Sequence, residues 1–92
     1  MADQPLRLKL SAADRRLLLT YTYPFDKLLA QLKALDAQPG KVLVTMEVFD
    51  LEHLLADLVY SAKRIRRAAL LEQIDELYTD LENQARRQGV IV

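Results

Sequence analysis

Cysteine and tryptophan are absent from the 92 residues. Without a thiol there is no disulfide framework, no cysteine nucleophile and no cysteine zinc site. Glycine occurs twice and proline three times, so long irregular loops are not expected. Gly40 and Gly89 stand apart, and no glycine-rich loop exists to cradle a phosphate. His53 is the one histidine, and neither Ser11 nor Ser61 lies in a nucleophile-elbow pattern. Catalysis has little to draw on: the expectation is a non-enzyme that needs no cofactor.

A charge excess is absent too, since 13 basic residues balance 13 acidic ones. A dedicated nucleic-acid binder usually carries a basic surplus, so that role would rest on a local patch. No stretch approaches the roughly 18 apolar residues that span a bilayer. The leading MADQPLRLKLSAADRR holds no apolar run of the secretory kind. The expectation is a cytoplasmic chain without membrane contact, and the lack of cysteine suits a reducing compartment.

What the chain does contain is hydrophobic side chains, 51% of the total, against 28% charged. Those are the proportions of a folded domain. A single domain of this size buries about 60–65% of the surface its unfolded chain exposes, which leaves a small stability margin. Residues 1–5 read as a flexible start, 6–88 as one domain and 89–92 as an apolar tail.

Leu6, Leu8 and Leu10 alternate with Arg7 and Lys9, the period of a half-buried strand. Ser11 and Asp14 have capping-box spacing, which predicts a helix from Ala12. Pro24 ends it and suits the first turn of the next, whose apolar stripe is Phe25, Leu28, Leu29, Leu32 and Leu35. Pro39-Gly40 makes a turn. Val42, Val44, Met46 and Val48 then alternate as a second strand, and Asp50 is the expected N-cap of a third helix. Its stripe is Leu51, Leu54, Leu55, Leu58, Val59, Ala62 and Ile65.

No glycine or proline interrupts Lys41 to Gln88. The apolar phase nevertheless turns by about 120° between that stripe and Leu70, Ile74, Leu77, Leu81 and Ala85, at roughly 100° per residue. A break near Arg66–Ala69 accounts for this better than one long helix. Leu8-Lys9-Leu10-Ser11 with Asp14 and Leu17 overlies Met46-Glu47-Val48-Phe49 with Glu52 and Leu55, a weak internal repeat. The fold expected is a small two-layer α+β domain, β-α-α-β-α-α, with the helices on one face of a short sheet. Two strands alone are weak support. Completion by the Val90-Ile91-Val92 tail or by homodimerisation is therefore expected.

Candidate sites gather on the third helix. Asp50, His53 and Asp57 share a face, and one imidazole with two carboxylates suits a divalent metal. There is no second histidine and Asp50 has a ready role as a cap, so a solvated polar face accounts for them better, and no metal site is expected. His53, Asp57, Tyr60, Arg64 and Arg67 continue at i, i+4, i+7, i+11 and i+14, opposite the leucine stripe. Tyrosine and arginine are enriched in binding hot spots, so His53, Tyr60, Arg64 and Arg67 are the nominated contact surface for an unknown protein partner. Lys63, Arg64, Arg66 and Arg67 form the alternative, a phosphate-gripping cluster without an aromatic platform, with Glu72, Asp75 and Glu76 placed to neutralise it. Tyr21 and Tyr23 fit a packed corner or a pocket wall. The function expected is a small intracellular interaction or regulatory module acting through self-association and docking.

Overall fold

The structure, a computed structural model, describes residues 4–90. The elements follow the expected order: β1 (Leu6–Leu10), α1 (Ala12–Tyr21), α2 (Asp26–Leu35), β2 (Val42–Met46), α3 (Val48–Ala62) and α4 (Ala68–Arg87). The fold is a small α+β domain with an antiparallel two-stranded sheet. Leu8 pairs with Val44, and Leu6, Leu10, Val44 and Met46 are buried with Leu8 beneath the helices. Arg7, Lys9, Leu43 and Thr45 are exposed on the other face.

Alternate residues of an antiparallel pair turn both backbone groups outward, and an open edge invites another strand. Here glutamines occupy those of Arg7, Lys9 and Thr45, and among the described residues none is bonded to Leu43. Gln84 Oε1 accepts from Lys9 N–H at 2.8 Å and its Nε2 donates to Lys9 O at 2.9 Å. Gln88 makes the same pair with Arg7, at 3.0 and 2.7 Å. On β2, Gln31 does so with Thr45, at 2.9 and 2.8 Å. Each side-chain amide takes the place of a neighbouring strand's peptide. Strand-edge pairing between copies would have to displace them, so self-association by that route is disfavoured. Gln84→Ala with Gln88→Ala removes four such bonds and is expected to lower stability by about 2 kcal/mol and to promote aggregation through β1. Urea unfolding with light scattering tests this, and an unchanged midpoint without scattering refutes it.

The internal repeat is real in the plan of the fold, with a different alignment from the one expected. One offset carries Leu8 onto Val44, Ser11 onto Glu47, Asp14 onto Asp50 and Leu18 onto Leu54. Because Leu8 pairs with Val44, that offset matches the local two-fold axis of the strand ladder, and the helix contacts of the two βαα halves follow the same exchange. The second helix of each half crosses to the other half's strand: α2 packs on β2 and α4 on β1, while α1 and α3 meet each other. Both first helices carry capping-box contacts. Asp14 N–H donates to Ser11 Oγ at 3.0 Å, and Asp50 Oδ2 accepts from Glu47 N–H at 3.0 Å.

That second cap corrects two expectations. β2 stops at Met46, and α3 begins at Val48 with Glu47 as N-cap and Asp50 at N3. Asp50, reaching back to the N-cap N–H from N3, holds the start of the helix one turn earlier than Asp50 at the N-cap would. The break before α4 falls at 63–67, and α3 ends at Ala62. After α4, Gly89 takes φ +88°, Val90 N–H donates to Ala85 O and Gly89 N–H to Arg86 O, each at 3.0 Å. This Schellman turn folds Val90 back against the core. The remainder of the expected tail, 91–92, and the first three positions of the expected flexible start lie outside the described residues.

The correspondence is broken at Arg15, the counterpart of Leu51. Arg15 is 0% exposed. Its Nη1 donates to Leu10 O at 2.6 Å and to Gly40 O at 3.0 Å, and its Nη2 donates to Gln38 O. The guanidinium therefore ties the end of β1 to the turn that leads into β2. Gly40 enters that turn at φ +74°, a conformation L-residues seldom adopt.

Candidate interaction surface

Three polar side chains of α3 stand in one row, His53, Asp57 and Ser61, at i, i+4 and i+8. All three hold the backbone at the α1–α2 corner. Ser61 Oγ donates to Tyr21 O at 2.7 Å, and Asp57 Oδ2 accepts from Tyr23 N–H at 2.8 Å. His53 Nε2 lies 2.9 Å from Tyr23 O and 3.3 Å from Asp57 Oδ2. Both neighbours are acceptors, so Nε2 carries the hydrogen. The corner is thus set by side chains rather than by a helix continuing through it, as Pro24 requires.

With its backbone held, the corner turns its side chains outward. Tyr23 is 82% exposed, so of the two expectations for it neither packing nor a pocket wall applies. Phe25 is the N-cap of α2 and leaves the leucine stripe assigned to it; it lies parallel to His53 at 4.4 Å between centroids and tilts against Phe49 at 5.8 Å. Phe49 is 58% exposed and Tyr60 61%. Arg64 lies over the Tyr60 ring, 5.2 Å from its centroid, in cation–π geometry.

The structure therefore brings His53, Asp57, Tyr60 and Arg64 to one side of α3 as expected. It does not continue the row to Arg67, which is the N-cap of α4 because α3 has already ended. His53 is half-buried beneath Phe25 and acts as a support. Asp50 is buried in its cap and turned from His53, so the Asp50–His53–Asp57 trio does not form. Among the described residues no group of three or more metal-ligating side chains converges.

Lys63, Arg64, Arg66 and Arg67 are all exposed at the α3–α4 connection. Among the described residues none of them forms an ion pair, with Glu72, Asp75 or Glu76 or with any other acid. The expected lack of an aromatic neighbour is corrected by Tyr60, which Arg64 covers. Phe25 and Phe49 escaped sequence reasoning. The available signal was the phase of Phe49, which matches His53 and Tyr60 once α3 is started at Val48. Beside this face, Val59, Ala62, Ile74 and Tyr78 line an open groove of about 500 Å³ between α3 and α4, with Lys63 and Asp75 at its rim.

No helix among the described residues is long and apolar enough to cross a membrane. No protein-family model matches the chain, and neither the curated proteins nor the solved structures hold a match to it.

Proposed function

We propose that the chain is a small non-catalytic interaction module that docks a protein partner and self-associates, with the outer face of α3 and the adjoining corner as its contact surface. One observation carries this: four large aromatic side chains, Tyr23, Phe25, Phe49 and Tyr60, are exposed around a single helix face. An isolated exposed apolar residue is ordinary, whereas here Phe25 packs on Phe49 at one end of the face and Tyr60 lies under Arg64 at the other, and aromatics with arginine are the composition of a binding hot spot. The hydrogen bonds from His53, Asp57 and Ser61 support the same reading, because they hold the corner ready and reduce the ordering cost of association. A cytoplasmic place of action belongs to the proposal and rests on the cysteine-free composition.

Tyr60→Ala with Arg64→Ala tests the proposal. Both side chains are exposed, so the thermal midpoint should stay within about 3 °C. Capture of a co-purifying partner should fall by about tenfold or more. A large loss of stability, or an unchanged capture, refutes the contact surface.

A second proposal rests on the four exposed, unpaired cations at 63–67 beside Tyr60, which resemble a site for single-stranded nucleic acid. Retention on an immobilised oligonucleotide at low salt, lost steeply as salt rises, tests it. No retention removes it.

A further inference from the structure

We infer that the outer face of α3 is an isologous interface on which a second copy of this chain docks antiparallel, with the two helices crossing at Ala56. The inference rests on the interaction-module proposal above and names one partner for it. The face is Phe49, Glu52, His53, Ala56, Tyr60 and Lys63, which fall within an arc of about 100° and so on one side of the helix.

The two ends of this face differ in charge. Glu47, Glu52 and, next to Phe25, Asp26 are exposed at the Phe49 end, where they outnumber the neighbouring base, Lys27. Lys63 and Arg64 are exposed at the Tyr60 end. Among the described residues none of Glu52, Asp26, Lys63 and Arg64 forms an ion pair within the chain. A two-fold axis through Ala56 reverses one helix against the other. Glu52 of each copy then comes within a helical turn of Lys63 of the second copy, and Phe49 lies opposite the Lys63–Arg64 pair, where a cation meets an aromatic face. The antiparallel helix dipoles agree with this arrangement. Parallel docking would set like charge against like at both ends.

Ala56 is exposed and small, which lets the backbones approach at the crossing. An oligonucleotide fits the whole face less well, because Glu52 and Asp26 would meet its phosphates. With α3 only 15 residues long, the contact falls at the small end of specific interfaces, below about 1,200 Å². The dimer expected is micromolar and weakens with salt.

Sedimentation equilibrium of the full chain tests this with two variants. Lys63→Glu with Arg64→Glu makes both ends acidic; Glu52→Lys with Asp26→Lys makes both basic. Each variant alone should dimerise about tenfold or more weakly than wild type, with thermal melts confirming that each folds. Mixed in equal amounts, they should form a heterodimer of near wild-type affinity, since every end then meets its opposite. A wild-type chain that stays monomeric into the millimolar range overturns the inference. So does a dimer that both variants leave intact, or a mixture without heterodimer. An oligonucleotide bound by a monomeric wild type and lost in the acidic variant also overturns it and assigns the basic end to nucleic acid. A monomeric wild type whose Tyr60→Ala, Arg64→Ala variant still loses its partner overturns self-pairing alone; the docking proposal fails separately, when that variant keeps its partner.

Discussion

Replacing Arg15 with alanine should lower the unfolding free energy by about 4 kcal/mol, the largest loss expected from any single substitution in this chain. Three backbone carbonyls, those of Leu10, Gln38 and Gly40, take their hydrogen bonds from this one guanidinium. A buried acceptor left without a donor costs about 1–3 kcal/mol. Gln38 and Gly40 are exposed and water will satisfy part of their loss, while Leu10 is fully buried but pairs with Val42 at the end of the ladder, which offsets part of its own. The void left by the side chain adds a packing term. At about 0.05–0.15 kcal/mol per residue, total stability for a chain of this length is about 5–14 kcal/mol, so the variant should melt about 15–25 °C lower or fail to fold.

Two further variants separate the causes. Arg15→Met restores most of the volume and none of the hydrogen bonds. Arg15→Lys restores a donor that reaches one or two of the three acceptors. The expected order of stability is wild type, then lysine, then methionine, then alanine, measured by urea unfolding. A methionine variant as stable as wild type would mean that the guanidinium's hydrogen bonds contribute nothing net, as happens when a buried charge is replaced by a well-packed apolar group.

Leu54→Ala is expected to cost about 3 kcal/mol, in the range for emptying a buried leucine site. Leu54 is fully buried on α3, and its counterpart in the first half, Leu18, is fully buried on α1. These two helices meet at the middle of the domain, where the surroundings have least freedom to collapse into a void. Tyr60→Ala on the same helix should change stability by less than about 0.5 kcal/mol, since its ring is mostly in solvent. Thermal melts of both variants give a direct comparison. Equal losses would show that α3 does not divide into an inner packing face and an outer free one, and the contact surface proposed here would lose its basis.

The inner face of α3 was legible in the sequence because leucine spacing at three and four residues is dictated by helical geometry alone. That a break separates α3 from α4 was legible for the same reason, since one straight helix cannot bury both stripes against one core. It was expected near Arg66–Ala69 and falls at 63–67, because Ile65 packs on the core from the connection and not from the helix. The start of α3 was misplaced because Val48 continues the strand alternation of Val42, Val44 and Met46, and local pattern cannot tell which competing element owns a shared residue. The Glu47–Asp50 cap decided it. That shift also concealed Phe49, since a residue assigned to the loop before a helix has no phase.

His53 and Asp57 were picked out correctly as lying on one face with Tyr60. Their partners were not legible, because Tyr23 is a distant residue whose backbone, not its side chain, makes the contacts. Arg15 was missed outright. An arginine beside Arg16 in the first turns of a helix looks like any solvated charge, and only the turn at 38–40 folding over it removes it from water.

The sequence by itself determined the element order, the α+β class, the leucines of the core and the polarity of the outer face of α3, all of which follow from short-range periodicity and capping chemistry. The tertiary structure decided the rest. It set the strand register that places the ladder's local two-fold axis at Leu8 and Val44, the glutamines on the sheet edges, the burial of Arg15, and the display of Tyr23, Phe25 and Phe49 around the helix face that carries Tyr60. Each of these depends on pairing between residues far apart in the chain, and nothing in the local pattern of either partner specifies the other.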